Sequence, residues 1–383
     1  MDFSLTNDQR TLAESIIAFA RKELNDGVAE RDRDHIFDRE RWRKCGDLGL
    51  QGLLVPEEYG GLGLDAVSTA VALEALGYGC RDAGLVFSIC AHLLACTVPV
   101  WKHGTAEQKA RYLPRLADGS LIAVNAMTEP ATGSDAFSMA TRAVRCEGGY
   151  RLTGTKIFAS NGPVADVALM YAVTDPARKH FGGVTAFLVE AGKPGFVAGQ
   201  TFQKMGLRTA PIGELVFDDC FVPTDAVVGG VGQGSVLFMR SMDWERALLA
   251  ACHVGTMQRL LEEATEYART RRQFGQPIGK FQAVSHRLAD MKIRVDAARL
   301  LTYKAAWTLD HMPRESTLPA SETKVFTSEA LLTSALDAVQ ILGGYGFMVD
   351  YEVERVLRDS VGATLYSGTS EMQRNIIAAR LGL

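Results

Sequence analysis

The chain lacks the local patterns that announce many kinds of functional centre. Its seven histidines, at 35, 92, 103, 180, 253, 286 and 311, never pair as HxH or HxxxH, so a histidine metal site has no local scaffold. Seven cysteines, at 45, 80, 90, 96, 146, 220 and 252, form no CxxC pair and no dense framework. That usage excludes a disulfide-stapled scaffold and suits a reducing cytoplasm. There is no GxxxxGK(S/T) loop and no strand-linked GxGxxG, so phosphate-loop and Rossmann readings fail.

An excess of one charge is missing too. With 41 basic and 45 acidic residues, the net charge of -4 supplies no global attraction to nucleic acid or to anionic membranes. The opening Met1-Asp2-Phe3-Ser4 lacks the basic and then apolar order of an export signal, and a cytoplasmic protein is expected. Long apolar runs are scarce. Residues 84–101 carry no formal charge, but His92 and Pro99 interrupt a stretch barely long enough to span a bilayer. A buried core helix is expected there. No internal repeat or low-complexity tract is present.

What is present is material for large cores: 47% of the 383 residues are hydrophobic, enough for two or three domains. Residues 1–118 carry helical signals, opening with Thr6-Asn7-Asp8-Gln9 as a capping box ahead of Leu12, Ile16, Phe19 and Leu24. Between 119 and 228 the texture changes to short β-rich runs at 150–158, 167–173, 184–189 and 214–217, separated by Gly, Pro, Asn and Asp. Residues 229–383 return to long helical periodicities, including Leu248, Leu249 and Cys252, then Leu332, Leu336, Val339 and Leu342. The expected order is therefore helical domain, β-domain, helical domain.

Three segments could carry chemistry. Met127-Thr128-Glu129-Pro130-Ala131-Thr132-Gly133-Ser134-Asp135 offers hydroxyls and amides that suit an anionic or heteroaromatic cofactor, and suits an ordinary Asx or ST turn equally. In Gln340-Ile341-Leu342-Gly343-Gly344-Tyr345-Gly346-Phe347 the glycines permit close backbone approach, and a helix C-cap explains Gly343 and Gly344 as well. Tyr366-Ser367-Gly368-Thr369-Ser370-Glu371 reads as a turn into a final helix. The adjacent Cys252 and His253 point about 100 degrees apart on a helix, so core packing is expected for them rather than a catalytic couple.

Together, in this order and on this plan, the segments resemble the acyl-CoA dehydrogenase flavoprotein family over essentially the whole chain. The resemblance extends to Lys156-Ile157-Phe158-Ala159-Ser160-Asn161-Gly162 and Arg271-Arg272-Gln273-Phe274-Gly275. Thr132 stands where the family usually has a smaller residue, and Phe158 where tryptophan is common. The implied fold is mainly α with a β domain: an N-terminal helical bundle, a middle β-domain and a C-terminal four-helix bundle. FAD is implied as cofactor, with Met127, Thr128, Gly133 and Ser134 toward the flavin or its pyrophosphate and Phe158 and Ser160 flanking its ring. Arg271, Gln273, Phe274, Gln340 and Gly344 match positions that reach FAD from a neighbouring subunit, while Thr369 and Glu371 match its adenosine side. The resemblance thus implies a homotetramer with shared sites.

The family reaction removes an α-proton from a thioester while the β-hydrogen leaves as hydride to the flavin. A thioester α-C–H is a weak acid, so a desolvated carboxylate is wanted beside it. Many members carry that glutamate in a terminal Tyr-Glu-Gly-Thr motif, where this chain reads Tyr366-Ser367-Gly368-Thr369. A minority place it early in the C-terminal domain, and Asp243-Trp244-Glu245-Arg246-Ala247 matches that position. Glu245 is therefore the expected base. The Ser367 amide is expected to bind the thioester carbonyl, with Arg246 near the thioester arm or holding the helix.

The pairing of Ser367 with Glu245, and the stretch Ala91-His92-Leu93-Leu94-Ala95-Cys96, are similar to a subgroup that oxidises carrier-protein-bound aminoacyl groups, notably prolyl. Other readings stay open: a short or branched acyl-CoA as substrate, a flavin oxidase or monooxygenase on the same fold, or an assembly subunit that lost its chemistry. The electron acceptor, an electron-transferring flavoprotein or another, is not specified by the sequence.

Overall fold

The computed structural model describes residues 4–383. Met1, Asp2 and Phe3, part of the start read for an export signal, lie outside the described residues.

Seven helices come first: α1 Asn7–Glu23, α2 Val28–Asp34, α3 Arg39–Asp47, α4 Ala66–Gly79, α5 Ala83–His92, α6 Val98–His103 and α7 Ala106–Ala117. The Thr6 capping box forms as the sequence predicts, its side chain accepting from Gln9 N while Gln9 answers to Thr6 N. Asp65 and Asp82 start α4 and α5 by accepting from Ser68 N and Leu85 N. A π-helical turn, Leu93–Thr97, joins α5 to α6. This is the charge-free stretch of the sequence, and its window is 83% buried inside the protein.

Eight strands follow: β1 Ala123–Ala126, β2 Arg142–Cys146, β3 Gly149–Ser160, β4 Val167–Val173, β5 Val184–Glu190, β6 Phe196–Thr201, β7 Ile212–Pro223 and β8 Val227–Val228. They form one sheet in the order β6-β7-β3-β2-β4-β5-β8, with β1 added parallel to β4. Periodicity found β3, β4, β5 and part of β7, all rich in β-branched or aromatic residues. It missed β1, β2, β6 and β8. These are short, or, like β6, exposed along most of their length, and pairing rather than local propensity holds them.

The chain then runs through α8 Gly234–Thr270, the hairpin β9 Arg272–Gln273 and β10 Gln276–Pro277, α9 Gln282–His311, α10 Thr317–Leu342, α11 Val353–Ala363 and α12 Ser370–Arg380. Helices α8 to α11 pack together and α12 lies on α10. At 37 residues, α8 is about 56 Å long and reaches across the molecule. It crosses α4 backbone to backbone. A Cβ on Gly77 would stand 2.1 Å from Cys252 O, and one on Gly255 would stand 2.0 Å from Glu74 O, so only glycine fits either position.

Two cores meet along α8. Leu237 and Met242 belong to a cluster shared with the inner sheet face and α7, while Ala247, Leu248 and Leu249 belong to the core of the first helices. Glu245 lies between them, and the desolvation it experiences follows from that placement.

Candidate active site

Glu245 is only 7% exposed. Its Oε1 accepts a 2.5 Å hydrogen bond from the hydroxyl of Ser367, which comes from the turn between α11 and α12. That turn uses two consecutive left-handed residues, Ser367 at φ 55 and Gly368 at φ 87. The strain at a non-glycine residue is carried by the surroundings. Arg246 Nε donates to Ser367 O at 3.0 Å, and Gln373 Nε2 donates to Ser367 O at 3.2 Å and Gly368 O at 3.0 Å. Arg246 thus holds the turn rather than the carboxylate. The Ser367 N–H has no acceptor among the described residues and remains available to a carbonyl oxygen.

Burial pushes the Glu245 carboxyl above its ordinary range, and the Ser367 hydrogen bond, Arg246 and Lys324 pull part of that back. The net direction is upward, as a carboxylate that must accept a carbon-bound proton requires. Lys324 on α10 is itself pulled down to about 8 by burial and by Arg246, and its Nζ has no hydrogen-bond partner among the described residues.

A small, mainly apolar cavity of about 40 Å³ is lined by Tyr366 together with Phe87, Leu249, His253 and Asp359, among others. His253 Nε2 and the Tyr366 hydroxyl are 2.8 Å apart. Burial lowers the His253 pKa to about 4, so the ring is neutral at pH 7 and orients Tyr366 without adding charge. Cys252 makes no hydrogen bond to His253, and its sulfur stands 3.5 Å from that of Cys90. Sequence reasoning expected core packing there and missed the His253–Tyr366 contact.

A second group of residues forms on the sheet. β3 carries a register shift against β7 between Lys156 and Ala159, and within it Phe158 adopts φ 51 with its ring 58% exposed. The loop after β1 is tied to this bulge: Ile157 N donates to Thr128 O at 2.8 Å and Lys156 Nζ to Met127 O at 3.0 Å. The structure therefore brings Met127, Thr128 and Phe158 together, with Ser160 at the end of the same strand. Gly133 and Ser134 lie in the exposed part of the loop, and a Cβ on Gly133 would meet nothing within 4 Å.

What the sequence reading missed is the pin beneath. Lys156 and Glu129 form a fully buried ion pair at 2.8 Å, and Glu129 also accepts from Ala140 N at 2.6 Å and Thr141 N at 3.0 Å. A signal existed, because Lys156 shares the inward parity of Tyr150 and Leu152 and a charge there demands a buried partner.

The remaining expected cofactor residues lie elsewhere. Thr369 caps α12 by accepting from Met372 N, and Glu371 is exposed on its first turn. Arg271, Gln273 and Gly344 line one open cavity of about 410 Å³. Phe274 is 93% exposed at the hairpin tip, and Gln340 is exposed on the last turn of α10. Arg271 follows Glu245 by 26 positions of helix, roughly 39 Å at 1.5 Å per residue, so this cavity and the carboxylate stand at different ends of the protomer. The exposed aromatic ring, the amide- and hydroxyl-bearing loop beside it and the uncrowded glycines fit a planar heteroaromatic cofactor with a phosphate tail.

A buried carboxylate on a long helix, beside a sheet whose bulge exposes an aromatic ring, is set within a helix–sheet–helix order that the family comparisons identify. Family models for the acyl-CoA dehydrogenase N-terminal, middle and C-terminal domains match residues 6–120, 125–220 and 232–382. The chain belongs to the acyl-CoA dehydrogenase family, as a flavin-dependent oxidoreductase using FAD. It is 45% identical to the L-prolyl-[peptidyl-carrier protein] dehydrogenase of Pseudomonas fluorescens over 384 residues, covering all of both chains. A solved structure of PigA with FAD and proline superposes with a TM-score of 0.97 at 42% identity, again over all of both chains. The prolyl acyl carrier protein oxidase AnaB gives 0.97 and 42%, covering 99% of this chain and all of that one.

Proposed function

We propose that the protein dehydrogenates a prolyl group held as a thioester on a carrier protein, with Glu245 as the base. The observation that carries the assignment of the base is the Ser367–Glu245 contact. It places a desolvated carboxylate beside the unpaired Ser367 amide, so one acyl group can offer its α-proton to Glu245 and its carbonyl oxygen to the Ser367 N–H. The prolyl assignment is supported by identity with prolyl-carrier dehydrogenases along the full length of the chain.

In this mechanism Glu245 takes the α-proton as the carbon–hydrogen bond breaks, and the Ser367 amide stabilises the charge that develops on the carbonyl oxygen. Bound FAD supplies the acceptor for the β-hydride. Arg246 and Gln373 keep the Ser367 turn in its left-handed form, and His253 orients Tyr366, which lines the apolar cavity beside it. Met127, Thr128, Gly133, Ser134, Phe158 and Ser160 hold the flavin, with Thr369 and Glu371 toward its adenosine.

The same reading makes the enzyme a cytoplasmic homotetramer, in which Arg271, Gln273, Phe274, Gln340 and Gly344 complete the cofactor site of a neighbour. Two observations support this: the separation along α8, and an unpartnered face on α9. Ile293, Leu300 and Trp307 stand at seven-residue spacing and are 64%, 51% and 47% exposed, a pattern suited to packing against another helix. Electrons leave to a carrier such as an electron-transferring flavoprotein. The deciding experiment offers oxidised enzyme the prolyl group on its carrier protein and on CoA, follows flavin bleaching and weighs the product. Reduction by short or branched acyl-CoA alone overturns the prolyl-carrier reading, and stoichiometric peroxide replaces the flavoprotein acceptor with oxygen.

A further inference from the structure

The first turns of α8 leave an apolar pair uncovered: Val236 and Met239, one helical turn apart, are 50% and 51% exposed. Arg240 follows, and its Nη1 donates to Pro313 O at 3.2 Å, which fixes the start of α8 against the segment after α9. Beside it, Lys102 at the end of α6 holds its ammonium 3.4 Å from the Trp101 ring centroid and 5.1 Å from that of Trp244. His103 is held below its ordinary pKa by burial and by the converging charges of Lys102, Lys109 and Arg240. Three cations therefore lie within electrostatic reach of one imidazole on a chain whose net charge is -4.

The nearby acidic groups offset only part of this field. Asp310 lies within electrostatic reach of Lys102 but is spent on Ala66 N, to which its Oδ2 is 2.9 Å away. Asp243, 3.9 Å from Arg240, is buried beneath it and bound by the Ser316 and Thr317 hydroxyls. Burial raises its pKa, while the Thr317 and Ser316 hydroxyls, Arg246 and Arg240 oppose that shift. What faces outward is an apolar centre with a cationic rim.

This face is also continuous with the active site. Trp244, against which Lys102 rests, precedes Glu245, and Met239 lies six residues before the carboxylate, about 9 Å along the helix.

Resting on the prolyl-carrier reading above, we propose that this face docks the carrier protein itself. Val236 and Met239 meet its apolar contact patch, while Lys102, Lys109 and Arg240 meet its acidic rim and the phosphodiester at the foot of its pantetheine arm. The arm then enters beside Trp244 to deliver the thioester to Glu245. The cations steer the encounter and set orientation, and the apolar pair supplies the desolvated centre. The occupant is a protein because phosphate recognition alone gives no use to exposed apolar residues at the middle of a cationic rim.

The test uses the intact flavoenzyme and its Arg240→Glu, Lys109→Glu variant, with prolyl-carrier protein, prolyl-CoA and prolyl-pantetheine as substrates for stopped-flow flavin reduction. We expect kcat/KM for prolyl-carrier relative to prolyl-pantetheine to fall by about tenfold or more, with the parent's carrier reaction weakening steeply as salt is added. A second variant, Met239→Ser, is expected to lower the same ratio without changing the salt dependence. An unchanged carrier-to-pantetheine ratio in both variants overturns the docking face while leaving the prolyl-carrier function intact. Loss confined to prolyl-CoA makes the rim a nucleotide site and also overturns the proposal. No reduction of the parent by prolyl-carrier, with reduction by acyl-CoA, overturns the function and the docking face together.

Discussion

The Ser367 hydroxyl donates to Glu245 Oε1 across 122 positions of sequence, so the turn between α11 and α12 and the proposed base on α8 meet at one hydrogen bond.

Replacing Glu245 by glutamine keeps the shape of the side chain and its hydrogen bond to Ser367 but removes the proton acceptor. Glu245→Gln is expected to retain FAD and bind thioester, with the rate of flavin reduction lowered by about 10²–10⁴-fold. Single-turnover bleaching measures it, and parental rates in the variant would reassign the base.

Because burial raises the Glu245 pKa above its ordinary 4.5, the ionised, competent fraction should climb with pH through the raised value and disappear on acidification. Ser367→Ala removes the hydrogen bond that opposes this shift, so the midpoint of the rate–pH curve should move upward. Stability carries the opposite sign. The folded state binds the proton more tightly than the unfolded chain, so this group's contribution is full below 4.5 and declines as pH passes the folded value. Melting curves of parent and Glu245→Gln across that range should differ in slope.

Moving the carboxylate across the contact should restore chemistry in part. The double variant Glu245→Ala, Ser367→Glu is expected to reduce flavin faster than Glu245→Ala alone, because the new side chain grows toward the space the old one left. A flavin-loaded, folded double variant no faster than the single one counts against a shared point of action.

The buried pair beneath the cofactor wall should be sensitive to loss of one partner. Lys156→Met leaves Glu129 without its cation and should cost about 3–5 kcal/mol, with faster loss of FAD because Met127 O is released as well. Thermal melting and flavin fluorescence on dilution report the two effects separately. Retention of both would show that the pair does not hold the 127–134 loop.

At the far end of α8, Arg271→Ala should lower the flavin-to-protein ratio after gel filtration, since Arg271 lies in the cavity with Gln273 and Gly344. If a neighbour completes the site, flavin retention by the parent should also fall as the protein is diluted. Retention independent of concentration would place the whole cofactor site within one protomer.

Much of this could be read from the sequence because it is written in short-range terms. Helix periodicity, the Thr6 capping box, the charge-free stretch at 84–101 and the β-branched strands each follow from residues within a turn or two of one another. The motif resemblance added the cofactor and reaction class, and the absence of a glutamate at 367 directed attention to Glu245. Short strands such as β1 and β8 were illegible because their pairing partners, not their own side chains, hold them in place. Only the tertiary structure decided that Glu245 lies between two cores, that Ser367 turns left-handed to meet it, and that Lys156 and Glu129 neutralise each other in the interior. Desolvation and long-range hydrogen bonds depend on what the rest of the chain brings near, and no local pattern encodes them.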